Sequence, residues 1–243
     1  MHGKQTKPHY VGASVRGPSN AARNKLKQDA WNVFNRSWGT LGVVCDGLGS
    51  KSKSRTGALA ACLAVRDMLN QVDGLDMHSN LGTHLKTIEQ KWLARIHPHN
   101  PNDCMTTCLF CVYTEDNWFG AQLGDGFLGA LLNDGNMVAC SPDGELAFNL
   151  TNGLGDSSQA KTWRTLGPLP AKDVHSIILA TDGVSDDIPL GSYPMLLEEL
   201  VNEYQPLNQM KRYQLLRREL VDWPTPHHLD DKTLLALWSN KSK

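Results

Sequence analysis

The sequence predicts an α+β fold in which helices cover antiparallel β-sheet. The predicted strands come in groups and the helices in pairs, so strands and helices do not alternate as they would in a doubly wound parallel sheet. Turn-forming stretches join neighbouring strands; the pair Asp134 and Gly135 suits a tight hairpin because glycine tolerates positive φ. No linker rich in proline and serine divides the 243 residues. We therefore expect one domain over 1–243, with its core at about 8–240.

The first half of the chain is expected to contain strands followed by helices. Apolar periodicity predicts strands over 8–16, 29–35 and 40–45, and helices over 55–72 and 81–96. Residues 17–28 are rich in turn-forming and basic residues and predict a loop. Ser54 is the expected N-cap of the first long helix, and Pro98 ends the second.

In the second half the apolar period changes to that of strands. Strands are predicted over 105–114, 117–123, 127–132, 136–140, 175–181 and 232–239, and helices over 193–204 and 207–221. Residues 141–172 predict a long loop, because they are rich in glycine and proline.

Composition excludes several classes of protein. The 24 lysines and arginines nearly balance 25 aspartates and glutamates, whereas a general nucleic-acid binder carries a basic excess. No apolar run approaches the roughly 18–20 residues of a membrane span, and the polar residues 1–10 do not resemble a signal peptide. Six cysteines in apolar stretches predict buried free thiols of a reducing compartment. We expect a cytoplasmic monomer that binds neither nucleic acid nor membrane.

A set of aspartates shares one local setting, beside glycine or at the end of an apolar strand. An Asp at the end of a buried strand is costly unless it caps or binds something, and converging carboxylates need cations. Hard oxygen ligands select Mg²⁺, Mn²⁺ or Ca²⁺. The alternative is that each is an ordinary turn aspartate, and the residues alone leave both interpretations open. The set comprises Asp29, Asp46, Asp125, Asp182, Asp230 and Asp231.

The same residues resemble the metal-dependent protein Ser/Thr phosphatases, the protein phosphatase 2C family, and its short bacterial branch in particular. The resemblance extends from about Val11 to Trp238, and its motifs follow the family's order with compatible spacing. These motifs are SVRGPSN, QDAW, VVCDGLGS, MTTCLFCVY, QLGDGF, IILATDGVSDDI and LDDKTLLAL.

The resemblance implies an αββα sandwich of two antiparallel sheets flanked by helix pairs. It also implies two Mn²⁺ or Mg²⁺ ions that activate water to attack phosphoserine or phosphothreonine, and a weaker site for a third ion. Asp46 would bridge the two metals, the Gly47 carbonyl and Asp29 would serve one of them, and Asp182 and Asp230 the other. Asp231 is the alternative to Asp230, and Asp125 matches the position linked to the third metal.

The family's phosphate-binding arginine has no clean counterpart in this chain. Arg16 is the first candidate and Arg23 the second, because a planar guanidinium binds two phosphate oxygens. A histidine that follows the first Asp-Gly in some relatives is replaced by Leu48. The flap segment, over 141–160, is short.

Basic residues over 51–55 follow the first Asp-Gly and allow two interpretations. They form either a solvated loop or a basic rim that attracts phosphorylated protein.

The leading hypothesis is a protein phosphatase that acts on phosphorylated proteins and opposes a Ser/Thr kinase. The alternative is a catalytically impaired phosphatase-like binding or regulatory module. A phosphoesterase for small molecules is the third hypothesis.

Overall fold

The strands and helices follow one another nearly as the apolar pattern predicts. The computed structural model describes residues 7–70, 81–140, 153–157, 162–223 and 229–239. The strands are β1 His9–Val15, β2 Ala30–Asn35, β3 Thr40–Cys45, β4 Cys108–Tyr113, β5 Asn117–Leu123, β6 Phe127–Leu132, β7 Met137–Ala139, β8 Arg164–Pro170, β9 Val174–Ala180 and β10 Lys232–Trp238. The helices are α1 Pro18–Ala22, α2 Ser54–Leu69, α3 Leu81–Ile96, α4 Asp182–Ser185, α5 Tyr193–Tyr204 and α6 Gln209–Val221.

The strands form two five-stranded sheets in which all pairings are antiparallel. One sheet has the order β1-β10-β9-β6-β7 and the other β2-β3-β4-β5-β8. Between the sheets lies an apolar layer built from both, which includes Val44, Leu109, Leu128, Leu179 and Leu235. This layer holds the sheets face to face, as in other sandwiches.

A helix pair covers the outer face of each sheet. Ala61 of α2 and Trp92 of α3 pack in one buried cluster with Phe110 of β4. Leu197 of α5 and Leu216 of α6 belong to the corresponding cluster on the other sheet. The layers are therefore α, β, β and α, and the expected fold is confirmed.

Two short elements lie where the sequence predicts loops. Helix α1 is one turn long and begins at Pro18, whose ring fixes φ at a helical value and needs no hydrogen-bond partner at that position. Strand β8 is largely exposed, contains Pro168 and ends on Pro170. It is an edge strand, where proline is tolerated because one row of N–H groups faces outward.

The expected N-cap at Ser54 is wrong. Ser54 is the first residue of α2, the N-cap is Lys53, and the Ser54 hydroxyl accepts a hydrogen bond from the Gln28 side chain instead. The cysteine prediction is confirmed, since all six thiols are free and buried.

Some expectations fall partly outside the described residues. Of the flap segment, 141–152 and 158–160 lie outside them, so its reduced length stays a prediction. No described helix is both long enough and apolar enough to cross a bilayer.

Candidate metal centre

Aspartates from both sheets meet at one end of the sandwich. Asp46 follows β3 and Asp125 follows β5 of one sheet, while Asp182 follows β9 and Asp230 precedes β10 of the other. All four line a cavity of about 220 Å³. The remaining lining residues are Asn20, Gln28, Gly47, Leu48, Gly49 and Asp231.

Three of these carboxylates are within reach of one ion. One oxygen each of Asp46, Asp125 and Asp182 lie within 4.8 Å of one another. Three negative charges at this separation repel strongly unless protons or cations offset them. The geometry therefore has the form of a site for a hard divalent cation.

The pKa values of the aspartates record this crowding. Burial, followed by the charges of Asp29 and Asp182, raises the pKa of Asp46 well above its usual value. Burial and then the charge of Asp125 raise the pKa of Asp182 to about 7. At neutral pH protons compete with any cation for these oxygens.

The Asp46 backbone is fixed on both sides. Its N–H donates to the Thr107 hydroxyl at 2.9 Å. Its carbonyl accepts from the Thr107 N–H at 2.8 Å and from the Thr106 hydroxyl at 2.7 Å. The next residue must be glycine, because a Cβ on Gly47 would lie 2.7 Å from the backbone of Ser54. Gly47 lines the cavity directly after Asp46.

Asp29 lies behind Asp46 and is only 2% exposed. One of its oxygens accepts from the Thr181 hydroxyl at 3.0 Å and from the Thr233 hydroxyl at 2.6 Å. Its carboxyl interacts with that of Asp46, and burial is the main cause that raises the pKa of Asp29 to about 6. Asp29 does not line the cavity, so its carboxyl interacts with Asp46 on the side away from the cavity.

Asp230 and Asp231 are oriented differently. Asp231 accepts backbone N–H groups with both carboxylate oxygens, from Gly17 at 2.7 Å and from Gln28 at 2.5 Å. Asp230 is exposed at the cavity, and its charge contributes to the raised pKa of Asp182. Asp230 thus has the oxygens available for a cation, and Asp231 uses its own to hold the chain.

The turn that carries Asp125 is held by the buried Gln122 and the half-buried Arg164. Gly124 and Gly126 adopt positive φ on either side of it. The Gln122 amide, which is fully buried, donates to the carbonyls of Gly124, Asp125 and Gly126 at 3.0–3.3 Å. Arg164 Nη2 donates to the Gly124 carbonyl at 2.5 Å. These contacts aim the Asp125 carboxylate at the cavity.

The two candidate phosphate ligands do not line the cavity. Arg16 and Arg23 are both exposed, and Arg16 Nη1 donates to the Lys25 carbonyl at 3.3 Å. Lys25 in turn donates from Nζ to the carbonyl of Gly49, a lining residue, at 3.3 Å. Basic side chains therefore stand at the rim of the cavity rather than in its walls.

Sequence reasoning missed two polar lining residues. Asn20 Nδ2 donates to Gln28 Oε1 at 3.3 Å, and both side chains face the cavity. Asn20 ends the motif SVRGPSN and Gln28 opens QDAW, so the motifs contained the signal. No periodicity shows that the turn between them folds back on the site.

The donor set fits Mg²⁺ or Mn²⁺. The described residues that line the cavity offer carboxylates and backbone groups, and none of them is a cysteine or a histidine. The second Asp29 oxygen is buried and accepts no hydrogen bond from the described residues, as expected where charge is to be offset by a cation. Hard oxygen donors favour hard divalent ions.

Comparison with known proteins identifies the family of the chain. The sequence model described as "Protein phosphatase 2C" matches residues 16–223. The chain belongs to the protein phosphatase 2C family. Its members are protein serine/threonine phosphatases, so the expected family and enzyme class are confirmed. No curated protein sequence matches the chain.

Several solved structures with the same fold are serine/threonine phosphatases. A bacterial serine phosphatase is 17% identical with a TM-score of 0.65, over 98% of this chain and 99% of that one. Stp1 from Staphylococcus aureus, a serine/threonine phosphatase, is 16% identical with a TM-score of 0.65 over the full length of both chains. The catalytic domain of PstP, solved with 2 manganese ions, is 15% identical with a TM-score of 0.60, over 96% and 99%. At such identities these likenesses show the protein phosphatase 2C fold alone.

Proposed function

We propose that this chain hydrolyses phosphoserine and phosphothreonine in proteins by water activated at a centre of two divalent cations. The observation that carries the proposal is the convergence of Asp46, Asp125 and Asp182 within 4.8 Å at the junction of the two sheets. Family membership makes phosphorylated protein the expected substrate.

Each ligand has a proposed place in this centre. Asp46 and the Gly47 carbonyl would hold the ions on the side of one sheet, and Asp182 and Asp230 on the side of the other. Asp125 would hold a third, weaker ion. Asp29 would act through Asp46 or through water, because it lies behind Asp46 and outside the cavity walls. Mn²⁺ and Mg²⁺ both suit these donors.

Divalent cations bound there would neutralise phosphate charge and lower the pKa of water, so that hydroxide forms near neutral pH. The chain itself would orient the reacting groups. Asp46, fixed by Thr106 and Thr107, would set the position of the attacking water. Arg16, or in second place Arg23, would hold the phosphate as it approaches from the rim.

No proton donor lies where some relatives have a histidine. Leu48 lines the cavity at that position and has no proton to give. The serine or threonine oxygen that leaves the phosphorus would therefore take its proton from solvent water. We further propose that the enzyme opposes a Ser/Thr kinase and acts as a cytoplasmic monomer.

The alternative function is a binding module with impaired catalysis. It is favoured by the position of Arg16 and Arg23 outside the cavity walls and by Leu48 in place of an acid. The retained carboxylate cluster favours the enzyme, since binding alone does not need it.

Hydrolysis of p-nitrophenyl phosphate tests the proposal. We expect turnover with Mn²⁺ or Mg²⁺, none with excess chelator, and loss of at least about 100-fold in Asp182→Asn. Asp134→Asn is the matched control, because Asp134 is an exposed turn residue whose interactions are local to that turn. Folded protein that binds Mn²⁺ by calorimetry but turns over neither this ester nor phosphopeptides would favour the binding module.

A further inference from the structure

Two stretches of chain without acidic residues form one side of the cavity. Residues 16–28 and 47–66 contain no Asp or Glu, and each carries four lysines or arginines. The first stretch contributes Asn20 and Gln28 to the cavity wall, and the second contributes Gly47, Leu48 and Gly49. Charge is thus segregated at this end of the molecule, although the whole chain has a net charge of −1.

The two stretches are bonded to each other beside the cavity. Lys25 Nζ donates to the Gly49 carbonyl at 3.3 Å, and Arg55 Nη1 donates to the Lys27 carbonyl at 2.6 Å. The Gln28 amide donates to the Ser54 hydroxyl. Six of their eight basic residues therefore lie on adjoining segments beside the cavity, and we call this set the basic rim. It comprises Arg16, Arg23, Lys25, Lys51, Lys53 and Arg55.

The cations of the basic rim have no acidic partner among the described residues. The salt bridges between described residues are made by Arg66, Arg95 and Arg218, and no residue of the basic rim takes part in them. Their bonds go to neutral groups instead, as from Lys51 to the Asn102 side chain at 2.7 Å. A ligand that brings carboxylates to the basic rim would not have to displace an existing ion pair.

We propose that the basic rim binds acidic residues on either side of the phosphorylated residue, so that the enzyme prefers phosphosites in acidic segments. This inference rests on the proposed function and names its substrate class. In an extended peptide, residues two to four positions from the phosphosite lie about 7–13 Å away along the chain. That distance extends from the cavity towards the basic rim, where Lys25 contacts the lining residue Gly49. A flanking carboxylate placed there would lie within a Debye length, about 8–10 Å at physiological salt, of a rim cation, so screening would leave the attraction effective.

Three phosphopeptides of equal length test the inference. Each carries one phosphoserine, flanked by glutamate, glutamine or lysine, and phosphate release is measured with Mn²⁺. For the wild-type enzyme at low salt we expect kcat/KM to fall in the order glutamate, glutamine, lysine. A ratio of about ten between the first two is expected, mostly through KM, since exposed charge pairs contribute up to about 1 kcal/mol each. High salt should reduce the ratio.

A triple variant of the basic rim isolates the effect. In Lys25→Gln, Lys51→Gln, Lys53→Gln the ratio should drop to about two or less. The matched control is Lys86→Gln, Lys211→Gln, Arg217→Gln, which removes three positive charges from the outer helices α3 and α6. The control should keep the wild-type ratio.

Binding of the labelled peptides, followed by fluorescence anisotropy, separates this inference from the proposed function. One outcome is that turnover is absent while the glutamate peptide still binds more tightly than the other two and the triple variant loses that preference. In that case the inference stands and the proposed function fails. Turnover with equal kcat/KM on all three peptides overturns the inference alone. The inference is also overturned if a short DNA duplex or phosphatidylserine vesicles bind more tightly than the glutamate peptide, and if the triple variant loses that binding.

Discussion

Asp230 and Asp231 are adjacent in sequence, yet one faces the cavity and the other holds the chain around it. Asp231 is 4% exposed and accepts the backbone N–H groups of Gly17 and Gln28. It joins the start of β10 to the segments before α1 and before β2. Asp230 keeps its carboxylate in the cavity.

Separate substitutions should divide these two tasks. Asp231→Asn should lower the free energy of unfolding by about 1.5–3 kcal/mol, because one hydrogen bond from a buried N–H to a charged acceptor is lost. Asp230→Asn should leave that free energy within about 0.5 kcal/mol in chelator and weaken Mn²⁺ binding instead. Urea unfolding measures the free energy of unfolding, and calorimetry measures Mn²⁺ binding. Equal destabilisation by both variants would contradict the division.

The raised pKa values predict how stability depends on pH. The pKa of Asp29 is about 6 and that of Asp182 about 7 in the folded protein, while both carboxyls titrate near 3.8 when unfolded. The folded state therefore holds more protons between pH 4 and 7, and the free energy of unfolding of the metal-free protein should fall as pH rises through this window.

Mn²⁺ should reverse that trend, because it replaces the protons that the cavity otherwise holds. We expect Mn²⁺ to raise the melting temperature more at pH 7.5 than at pH 5.5. The double variant Asp46→Asn, Asp182→Asn should show little response at either pH. Thermal unfolding with Mn²⁺ and with chelator measures this, and an equal response at both pH values in the wild type would count against the assigned ligands.

Close backbone packing makes Gly17 a sensitive position. A Cβ there would lie 2.2 Å from the backbone of Asp230. Gly17→Ala should displace Asp230 and lower both stability and Mn²⁺ affinity. The control is Gly82→Ala in α3, where a Cβ meets nothing within 4 Å and alanine should add about 0.5–1 kcal/mol. Urea unfolding measures the stability of both variants, and calorimetry measures their Mn²⁺ affinity. An unchanged Mn²⁺ affinity in Gly17→Ala would refute the role of this contact.

Gln122 is expected to position Asp125. Gln122→Met keeps the length of the side chain but removes the amide that serves three carbonyls. We expect about 1–3 kcal/mol loss of stability and a weaker response of activity to Mn²⁺ at high concentration, where the weakest site fills. The control is Gln90→Met, at an exposed position of α3, which should change neither the stability nor the response of activity to Mn²⁺. A full Mn²⁺ response in Gln122→Met would contradict this role.

The apolar pattern predicted most of the fold because the helices bury one face and most strands are buried apolar runs. Strand β9, for example, is an almost fully buried apolar run, and the sequence marks it clearly. Strand β8 was missed because it is largely exposed and contains a glycine and two prolines, which an edge strand can tolerate. Helix α1 was missed because a single turn after Pro18 has no periodicity to detect.

The site was harder to predict than the fold. Residue spacing alone could not bring Asp46 and Asp182 together, because they end strands of different sheets, and the family resemblance supplied that link. The choice between Asp230 and Asp231 depends on which oxygens the backbone occupies, which only coordinates reveal. Asn20 and Gln28 reach the cavity through a turn that no pattern encodes.

The hydrogen bonds of Asp29 have a consequence for motion. Asp29 precedes β2 of one sheet, whereas Thr181 and Thr233 belong to the end of β9 and to β10 of the other. A buried carboxylate that accepts hydroxyls across the interface resists sliding of one sheet over the other at this end. The carboxylates of the cavity are therefore mounted on a rigid frame, and any rearrangement during turnover would be confined to the loops at the rim rather than to the sheets.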